Sequence, residues 1–416
     1  MTVTIAILTG GHLCHNPRVV KEASALARAG YDVHILGGWF ESALKARDQA
    51  MLSGMPVTFT PVIDLTSSRP GSWTQQLFLR GRAKAMRTFA GWTGLHSHFQ
   101  LGLATNALYK AARKINARLY IAHMEPALPA AMDLVRSGRR VGVDMEDWYS
   151  EDLLPEARKD RPVAFLRSLE GELLRKGAYA TCPSRAMSEA LRTNYGCVPP
   201  TVIHNSFSWA DRNSLGPELR DRKDRRIPSI HWYSQTIGHG RGLEDLFAAL
   251  PHLEHEVEVH LRGQPVAGFD AWLSARVPEA WRQRVFVHGL VPNEHLLSRI
   301  AEHDIGFAGE MKFCKSRELT ITNKILHYLL AGLAVVASDT AGQREVAGQA
   351  PGALLLYASG DASALAMKLN TLLELPERLK HAKAASLRAA EQTFCWERQE
   401  KVLVETVTRV LGGSIT

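Results

Sequence analysis

A lysine and a histidine stand at the start of a predicted helix in the second half of the chain. In ELTITNKILHYLLAGLAVVAS, residues 318–338, a threonine can cap the helix, Gly332 ends it, and LAVVAS is typical of a buried parallel strand. Lys324 and His327 lie three residues apart and share one face of that helix, with Asn323 beside them in the first turn. The positive helix end, an ammonium and an imidazole together suit an anion and neighbouring hydroxyl groups.

A second candidate for anion binding is the glycine-rich segment TIGHGRGLEDLFAAL. Its loop, residues 238–242, leads from a strand to a helix and places Arg241 among glycines at a helix amino terminus. Arg262 follows the next strand at the equivalent position, in HLRGQP. A glycine-rich loop alone is weak evidence, but two arginines at the ends of neighbouring strands favour a phosphate site over a packing role.

The first strand of the chain is also followed by a loop that could approach a ligand. Gly10 and Gly11 stand there in LTGGHLCHNPRVV, with His15 and Arg18 shortly after them. The spacing is not the G-x-G-x-x-G of dinucleotide-binding loops, so that class of site is not supported. A tight turn chosen for packing explains the paired glycines equally well, while the histidine and the arginine favour a ligand site.

A histidine and a group of acids mark the middle of the first half. His123 ends a predicted strand in LYIAHMEP, where an imidazole could contact a substrate hydroxyl or serve as a structural hydrogen-bonding residue. Further on, VGVDMEDWYSEDLL, residues 141–154, holds five acids that include Glu146 and Asp147. Clustered carboxylates bind divalent ions or act as bases. Because no histidine or cysteine lies close by in sequence, we rank contact with sugar hydroxyls or a partner above a metal site.

These side chains need strands and helices that bring them to one edge of a sheet. Short apolar runs alternate with helical patterns, which is typical of parallel βαβ units. The predicted strands are residues 3–8, 31–36, 57–62, 118–123, 140–145, 178–182, 201–205, 229–234, 256–263, 284–290 and 304–309. The predicted helices lie near residues 17–29, 73–91, 126–137, 161–176, 184–194, 361–374, 376–391 and 396–411, with two more from about 242 and about 293. The pattern predicts an α/β protein of two doubly wound units with a cleft between them, and ligands beyond the carboxyl ends of the strands.

A segment dense in charge and carrying glycine and proline separates the two units. Residues 209–228 are predicted to be a linker between a first domain, residues 1–208, and a second domain, residues 229–395. A last helix, about residues 396–416, closes the chain.

The composition fits a folded protein with anionic partners. The 416 residues are 45% hydrophobic and 22% charged, which predicts two or three domains, and a formal net charge of +8 favours nucleotides, phospholipid surfaces or nucleic acid. No nucleic-acid-binding motif is present, so we expect no nucleic-acid partner. The five cysteines are odd in number and lack metal spacing, which favours a reducing compartment. The opening MTVTIAILTGG enters a strand pattern directly and lacks the features of a signal peptide. The longest apolar run, residues 325–337, is too short to span a bilayer. We therefore expect a cytoplasmic protein.

One predicted helix, residues 73–92, combines apolar and aromatic side chains with basic ones. Its apolar members are Trp73, Leu77, Phe78, Met86, Phe89 and Trp92, and its basic members are Arg80, Arg82, Lys84 and Arg87. This pattern suits an anionic membrane surface and a lipid-linked acceptor, which would place the protein peripherally at the inner face of the membrane. An ordinary helix with a solvated basic face explains the same pattern, so both interpretations stay open.

The order of these motifs resembles glycosyltransferase family 4, the retaining, nucleotide-sugar-dependent glycosyltransferases of the GT-B fold. The resemblance covers nearly the whole chain, through RVVKEASALARAGYDVHIL, LYIAHMEPALPAA, VGVDMEDWYSEDLL, TIGHGRGLEDLFAAL, VFVHGLVPNEHLLSRIAEHDIGF and NKILHYLLAGLAVVASDTAGQREV. It implies two Rossmann-like domains that face each other across a deep cleft, an acceptor-side domain first and a donor domain second. It also implies that the last helix crosses back to the first domain.

The resemblance implies roles for individual residues. His123 would be the catalytic-site histidine that approaches the transferred sugar, and the loop of Gly10 and Gly11 would lie near the donor phosphates. Arg241 stands where the family has a basic residue on the diphosphate, and Lys324 fits a common variant with the same duty. The remaining donor-binding candidates are Arg262, Glu318, Asn323 and His327, and the acceptor-side candidates are His15, Arg18, Glu146 and Asp147.

Two positions depart from the family pattern. Members commonly carry a Glu-x7-Glu pair, whose first acid contacts the donor sugar and whose second contacts the ribose. Here His327 holds the second position, and Leu319 holds the first, with Glu318 one place off. Gln235 stands where many members have an arginine for the phosphates. The departures predict an unusual donor or a reduced activity.

The implied reaction is transfer of a sugar from a UDP- or GDP-linked donor to a glycan, glycolipid or small-molecule acceptor with retention of configuration. Basic side chains and helix amino termini would neutralise the leaving diphosphate, so neither a metal nor another cofactor is expected. The alternative is a sugar-nucleotide-binding regulator or scaffold of the same fold with impaired catalysis, which the two departures favour.

Overall fold

The structure is a computed structural model and describes residues 2–66, 72–93, 97–152, 155–159, 161–223 and 225–412. The chain divides into two compact units, Met1–Ile203 with Glu400–Thr416, and His204–Gln399. Residues 413–416, at the end of the predicted closing helix, lie outside the described residues.

The first unit is built on a parallel sheet of seven strands in the order β3-β2-β1-β4-β5-β6-β7. The strands are β1 (Thr4–Thr9), β2 (Asp32–Trp39), β3 (Val57–Asp64), β4 (Leu119–His123), β5 (Val141–Asp144), β6 (Tyr179–Cys182) and β7 (Thr201–Val202). The central strands β1 and β4 are apolar runs whose residues are almost all buried, which is typical of a parallel sheet covered by helices on both faces.

Eight helices belong to the described part of this unit. They are α1 (Pro17–Arg28), α2 (Ser42–Leu52), α3 (Ser72–Thr93), α4 (Thr105–Ala112), α5 (Leu128–Arg136), α6 (Pro155–Arg158), α7 (Val163–Lys176) and α8 (Arg185–Tyr195). At the start of α1, the Asn16 side chain accepts a hydrogen bond from the Val19 amide, and Pro17 occupies the first helical position. Both features favour a helix start at this point, directly after the loop that follows β1.

The second unit is built on a parallel sheet of six strands in the order β10-β9-β8-β11-β12-β13. The strands are β8 (Ser229–Ile237), β9 (Glu258–Pro265), β10 (Val285–His288), β11 (Ile305–Ala308), β12 (Ala334–Ser338) and β13 (Leu354–Tyr357). Its core consists of two apolar clusters, one around Trp232, Phe247 and Phe307 and the other around Tyr328 and Leu329. Two doubly wound sheets in one α/β chain confirm the predicted fold class.

Helices surround this second sheet as well. They are α9 (Leu243–Ala249), α10 (Phe269–Arg276), α11 (Asn293–Ile300), α12 (Lys315–Leu319), α13 (Asn323–Ala331), α14 (Ala341–Gln349), α15 (Ala362–Leu373) and α16 (Pro376–Gln392), followed by α17 (Trp396–Leu411). Helix α17 begins in the second unit, and its residues from Glu400 onward belong to the first. No helix in the described ranges is long and apolar enough to cross a membrane.

The charge-dense segment between the predicted domains belongs to the second unit by its contacts. Arg222 is only 4% exposed there, and its guanidinium donates to the carboxylate of Asp304 at 2.9 Å and to the carbonyl oxygen of Glu302 at 2.7 Å. A buried arginine held by two partners ties this part of the segment to the second sheet.

Candidate functional site

Each sheet has one point at which the strand order reverses. In the first unit β1 lies between β2 and β4, and in the second unit β8 lies between β9 and β11. Loops that leave neighbouring strands in opposite directions open a crevice at such a point, and ligands of doubly wound sheets bind there. The loops after β1, β4, β8 and β11 are therefore the places to compare with the sequence predictions.

His123 ends β4 and is completely buried between carboxylates. Its Nδ1 lies 2.8 Å from Oε1 of Glu146, and its Nε2 lies 3.0 Å from Oε2 of Glu22. Burial lowers the pKa of His123, but Glu22, Glu146 and the nearby Asp144 outweigh burial and raise it well above its usual value. The imidazole therefore carries a proton at neutral pH and donates from both nitrogens.

Arg18 lies in the same buried cluster. Its guanidinium forms a bidentate pair with Asp144 and donates to the carbonyl oxygen of Ile203 at 2.9 Å. Burial would raise the pKa of Asp144, but Arg18 and His123 lower it below its usual value. The sequence expectation placed Arg18 among the acceptor-side residues. The Arg18 side chain is only 1% exposed, and it binds buried protein groups instead of a ligand.

The glycines after β1 differ from each other in their surroundings. A side chain on Gly10 would meet the ring of Pro126 at 2.4 Å, so close packing alone requires a glycine there. A Cβ atom on Gly11 would have Met124 Cε as its nearest neighbour, 4.0 Å away, so another atom could approach Gly11 from this side. Of the two, Gly11 has the surroundings that a ligand contact would need.

The rest of this loop is fixed by an internal hydrogen-bond network. His12 Nε2 accepts from the Phe40 and Glu41 amides at 2.9 and 3.2 Å, so its proton lies on Nδ1 and is donated to Asp48 at 2.7 Å. Burial and Asp48 raise the pKa of Cys14 to about 11. The three side chains of His12, Cys14 and Asp48 lie close together, and hydrogen bonds to Asp48 account for their approach.

Two further candidates on the acceptor side lie at the surface of the first unit. His15 is exposed at the end of the loop after β1. Asp147 is partly exposed and follows Glu146 in the loop after β5. Both positions are open to solvent, in contrast to that of Arg18.

In the second unit, the loops after β8 and β11 touch at the reversal point. Gly242 has a φ of 78°, and a side chain on it would lie 2.7 Å from the carbonyl oxygen of Gly309, so only glycine fits. Arg241, next to it, is exposed and donates to the Ser234 hydroxyl at 2.9 Å. Arg241 thus lies in the loop between β8 and α9 and is accessible to solvent.

Lys324 lies in the first turn of α13 and pairs with an acid from the loop after β11. Its Nζ is 3.0 Å from Oε1 of Glu310, and each of the two side chains is 14% exposed. The amide of Lys324 donates to the hydroxyl of Thr322, which caps the helix. Asn323, exposed at the same helix end, accepts from the Asn205 amide group at 3.2 Å.

His327 is held between two aromatic side chains. Its Nδ1 lies 2.5 Å from the hydroxyl oxygen of Tyr233, and its ring stacks on Phe207 with centroids 3.4 Å apart. The imidazole is half-buried and lies one turn beyond Lys324 on α13. Its orientation is therefore set by the protein, which suits a fixed hydrogen-bonding role.

The other two donor-site candidates bind protein groups. Arg262 is 3% exposed, pairs with Asp221, and donates to the carbonyl oxygen of Gly289 at 2.6 Å. Glu318 accepts from the amide of Ala341 at 3.2 Å, at the start of α14. Contrary to the sequence expectation, Arg262 lies within β9 instead of after it, and its two terminal nitrogens bind these protein groups.

Sequence reasoning missed several residues of these clusters. Glu310 lies two residues after the end of β11, so the rule that pointed to Arg241 also points to this acid. Glu22, by contrast, looks like a surface residue of an amphipathic helix, and only the structure shows that it is buried against His123. Phe207 comes from a segment distant in sequence from α13, and no local pattern joins the two.

Comparison with known proteins agrees with this geometry. Residues 230–375 match the family model described as Glycosyl transferases group 1. Among solved structures, Anabaena HepE in complex with UDP and glucose has 16% sequence identity and a TM-score of 0.68. The similarity covers 98% of this chain and 100% of that chain. The chain has the GT-B fold.

Two further GT-B structures support the same assignment of fold. Sucrose-phosphate synthase from Thermosynechococcus elongatus has 14% identity and a TM-score of 0.70, with 99% of this chain and 100% of that chain covered. A UDP-forming trehalose-phosphate synthase from Burkholderia xenovorans has 13% identity and a TM-score of 0.65, with 99% of each chain covered. No curated protein sequence matches the chain.

Proposed function

We propose that this GT-B protein is a glycosyltransferase that moves a hexosyl group from a UDP- or GDP-linked sugar to a glycan, a glycolipid or a small molecule. The match of residues 230–375 to Glycosyl transferases group 1 carries the proposal. That segment includes Arg241 and Lys324, two basic side chains near the reversal point of the second sheet. A nucleoside diphosphate is the anion that this site would take.

The electrostatics of the second unit favour departure of a diphosphate without a metal ion. Arg241 and Lys324 supply positive charge, and the amino terminus of α13 adds its dipole. Fixed positive groups of this kind stabilise the charge that develops on a leaving phosphate. We therefore propose a reaction that requires no metal or other cofactor.

We further propose that transfer proceeds with retention of the anomeric configuration, as the resemblance to family 4 implies. The bond between the sugar and the diphosphate breaks through an oxocarbenium-like state while the acceptor oxygen approaches the same face. Anomeric proton couplings of the product, measured by NMR, test this point, and an inverted product contradicts it.

UDP-glucose is the first donor to test, because the Anabaena neighbour is described in complex with UDP and glucose. A thermal-shift screen of nucleotide sugars identifies the base and the sugar through ligand-linked stabilisation. Release of UDP or GDP is then measured with and without acceptors. Acceptor-dependent release supports the proposal, and its absence across the panel contradicts it.

A second candidate is a sugar-nucleotide-binding regulator, which two departures from the family pattern favour. His327 is one, and Gln235, exposed in β8 where many family members have an arginine, is the other. Binding without turnover across the donor and acceptor panels would favour this alternative.

We also propose that α3 attaches the protein to an anionic membrane that carries its acceptor. Four large apolar side chains of this helix are exposed, and exposed basic residues lie among them. The apolar four are Leu77 at 49%, Phe78 at 65%, Phe89 at 48% and Trp92 at 86% exposure, and the exposed basic residues are Arg80 and Lys84. The side chains of Trp73 and Arg87, which the sequence pattern also includes, lie outside the described residues.

Vesicle co-sedimentation tests this attachment with phosphatidylglycerol vesicles against neutral ones. Reversing the four basic residues of α3 should abolish binding, because they attract the anionic surface. Arg282→Glu with Lys380→Glu, two exposed positions of the second unit, is the control for charge reversal elsewhere. Binding that survives reversal of all four α3 charges contradicts the proposal.

A further inference from the structure

One carboxylate in the first unit bridges the two sides of the sheet's reversal point. Oε1 of Glu146 accepts from Asn16 Nδ2 at 2.7 Å and pairs with His123 Nδ1 at 2.8 Å. Asn16 comes from the loop after β1, and His123 ends β4. Because the strand order reverses between β1 and β4, the Glu146 carboxylate lies at the position where such sheets bind ligands.

Glu146 is more exposed to solvent than the side chains that it contacts. The side chain of Glu146 is 20% exposed, whereas those of His123 and Glu22 are 0% and 1% exposed. Both nitrogens of His123 are already engaged, so this imidazole can contact a ligand only by giving up a carboxylate. In Glu146, both donors bind Oε1, and none of the described residues donates to Oε2.

The charges of the cluster define the ligand that Glu146 can accept. Arg18 pairs with Asp144, and Nδ1 of His123 lies 2.8 Å from the carboxylate of Glu146. An ionised carboxylate accepts hydrogen bonds but donates none. It repels a phosphate and binds a hydroxyl group, so a sugar fits this position and a diphosphate does not.

The loop that carries Glu146 is held rigidly. The hydroxyl of Tyr149 donates to the carbonyl oxygen of Asp144 at 3.3 Å and accepts from the Met124 amide at 3.2 Å. Buried Glu170 accepts from the Ser150 amide at 2.9 Å. Met124, after β4, has a φ of 65°, a strained backbone conformation of a kind that is enriched at functional sites.

We infer that Glu146 accepts a hydrogen bond from a sugar hydroxyl, and that His123 is a positioning residue that acts through Glu146. The inference rests on the proposed function and names the group that orients the acceptor or the transferred sugar in the first unit. It replaces the sequence expectation that His123 itself approaches the sugar.

Kinetics of Glu146→Gln test the contact, with UDP-glucose and glucose as the probe donor and acceptor. We expect kcat/KM to fall about 10- to 100-fold, the effect of losing one hydrogen bond to a charged group, while the affinity for UDP stays unchanged. A higher KM for glucose assigns the hydroxyl to the acceptor, and a higher KM for UDP-glucose assigns it to the transferred sugar. Glu189→Gln, at a side chain 62% exposed in the same unit, is the matched control. Unchanged kcat/KM in Glu146→Gln overturns the inference.

His123→Gln tests the positioning role, because glutamine can still donate one hydrogen bond to Glu146. We expect it to lower kcat/KM less than Glu146→Gln does. A larger loss in His123→Gln means that the histidine itself contacts the sugar, and overturns the inference.

A measurement without turnover separates this inference from the proposed function. Saturating glucose or saturating UDP-glucose should shift the ring C–H resonances of His123 in the NMR spectrum of the wild type, and should leave them in place in Glu146→Gln. If the wild type transfers no sugar but shows this shift with either ligand, the proposed function fails and the inference stands. If neither ligand moves the His123 resonances of the wild type, the inference fails whatever the activity.

Discussion

The ammonium of Lys324 lies 3.0 Å from Oε1 of Glu310, which joins the first turn of α13 to the loop after β11. Burial raises the pKa of Glu310, but Lys324 outweighs it and holds the pKa below its usual value. The Glu310 carboxyl is therefore ionised at neutral pH. A bound diphosphate would bring the lysine a second anionic partner at the amino terminus of the helix.

We expect Lys324→Met to weaken UDP binding at least about 10-fold, because a charge-assisted hydrogen bond to phosphate is lost. Isothermal titration calorimetry with UDP measures the change. Lys312→Met is the matched control, since this lysine of the same unit is 45% exposed and lies 3.8 Å from Glu318. Equal UDP affinity in Lys324→Met and the wild type would show that this lysine does not serve the diphosphate.

His327→Glu restores the carboxylate that the family commonly has at this position. We expect UDP affinity to rise, because one carboxylate can accept hydrogen bonds from both ribose hydroxyls. The same titration measures it, with His295→Glu on the exposed side of α11 as the control. If the affinity does not change, His327 is not a donor contact and the ribose lies elsewhere.

Divalent ions should not affect transfer, since Arg241 and Lys324 are expected to neutralise the leaving group. Initial rates measured with EDTA should equal those measured with added magnesium or manganese. A rate that falls with EDTA and recovers with one of these ions would contradict the metal-free mechanism.

How far the sequence predicts this molecule depends on whether a feature is local. The strand β1, the start of α1 near residue 17 and the end of α13 at Gly332 follow from local sequence patterns, and the structure confirms them. Helix α2 was missed because its one fully buried residue is polar Asp48, so it has no apolar stripe. Glu310 is a site candidate because it follows a strand at the reversal of strand order. Strand order depends on contacts between distant segments, so local sequence patterns do not reveal it.

Burial of charge is the second property that the sequence does not reveal. The sequence pattern treats Arg18, Arg262 and Arg241 alike, but Arg262 lies within β9, whereas Arg18 and Arg241 follow strands in a first helical turn and a loop. Arg18 and Arg262 meet Asp144 and Asp221 and are buried, whereas Arg241 stays exposed. Only the distant partner distinguishes a structural arginine from one that a phosphate can reach.

We expect Arg18→Met to destabilise the first unit by about 3–5 kcal/mol, the usual cost of leaving one member of a buried ion pair without its partner. Chemical denaturation followed by circular dichroism measures the loss. Arg136→Met, which breaks a pair with Glu172 at a side chain 62% exposed, should cost less than about 1 kcal/mol. Similar losses in both variants would contradict the structural role assigned to Arg18.

The second unit should lose stability as the pH falls below about 6.5, the usual pKa of histidine in an unfolded chain. This unit contains four neighbouring histidines whose pKa is lowered by burial. The pKa falls to about 3 for His260, well below the usual value for His231 and His303, and below the usual value for partly exposed His288. Below pH 6.5 the unfolded chain binds protons that the folded chain does not, so unfolding becomes more favourable. Each histidine contributes up to about 1.4 kcal/mol per pH unit until its folded pKa is reached.

Differential scanning calorimetry between pH 8 and pH 5 tests this dependence. His288→Gln, at the most exposed of the four with 18% of its side chain exposed, should flatten the slope of stability against pH. His295→Gln, at an exposed surface position, should leave the slope unchanged. His123 in the first unit has the opposite effect on the pH dependence of stability. Its pKa is raised in the folded state, so its contribution to stability is lost as the pH rises through that folded pKa. A second unit whose stability stays constant from pH 7 to pH 5 would mean that its histidines are hydrated and titrate normally.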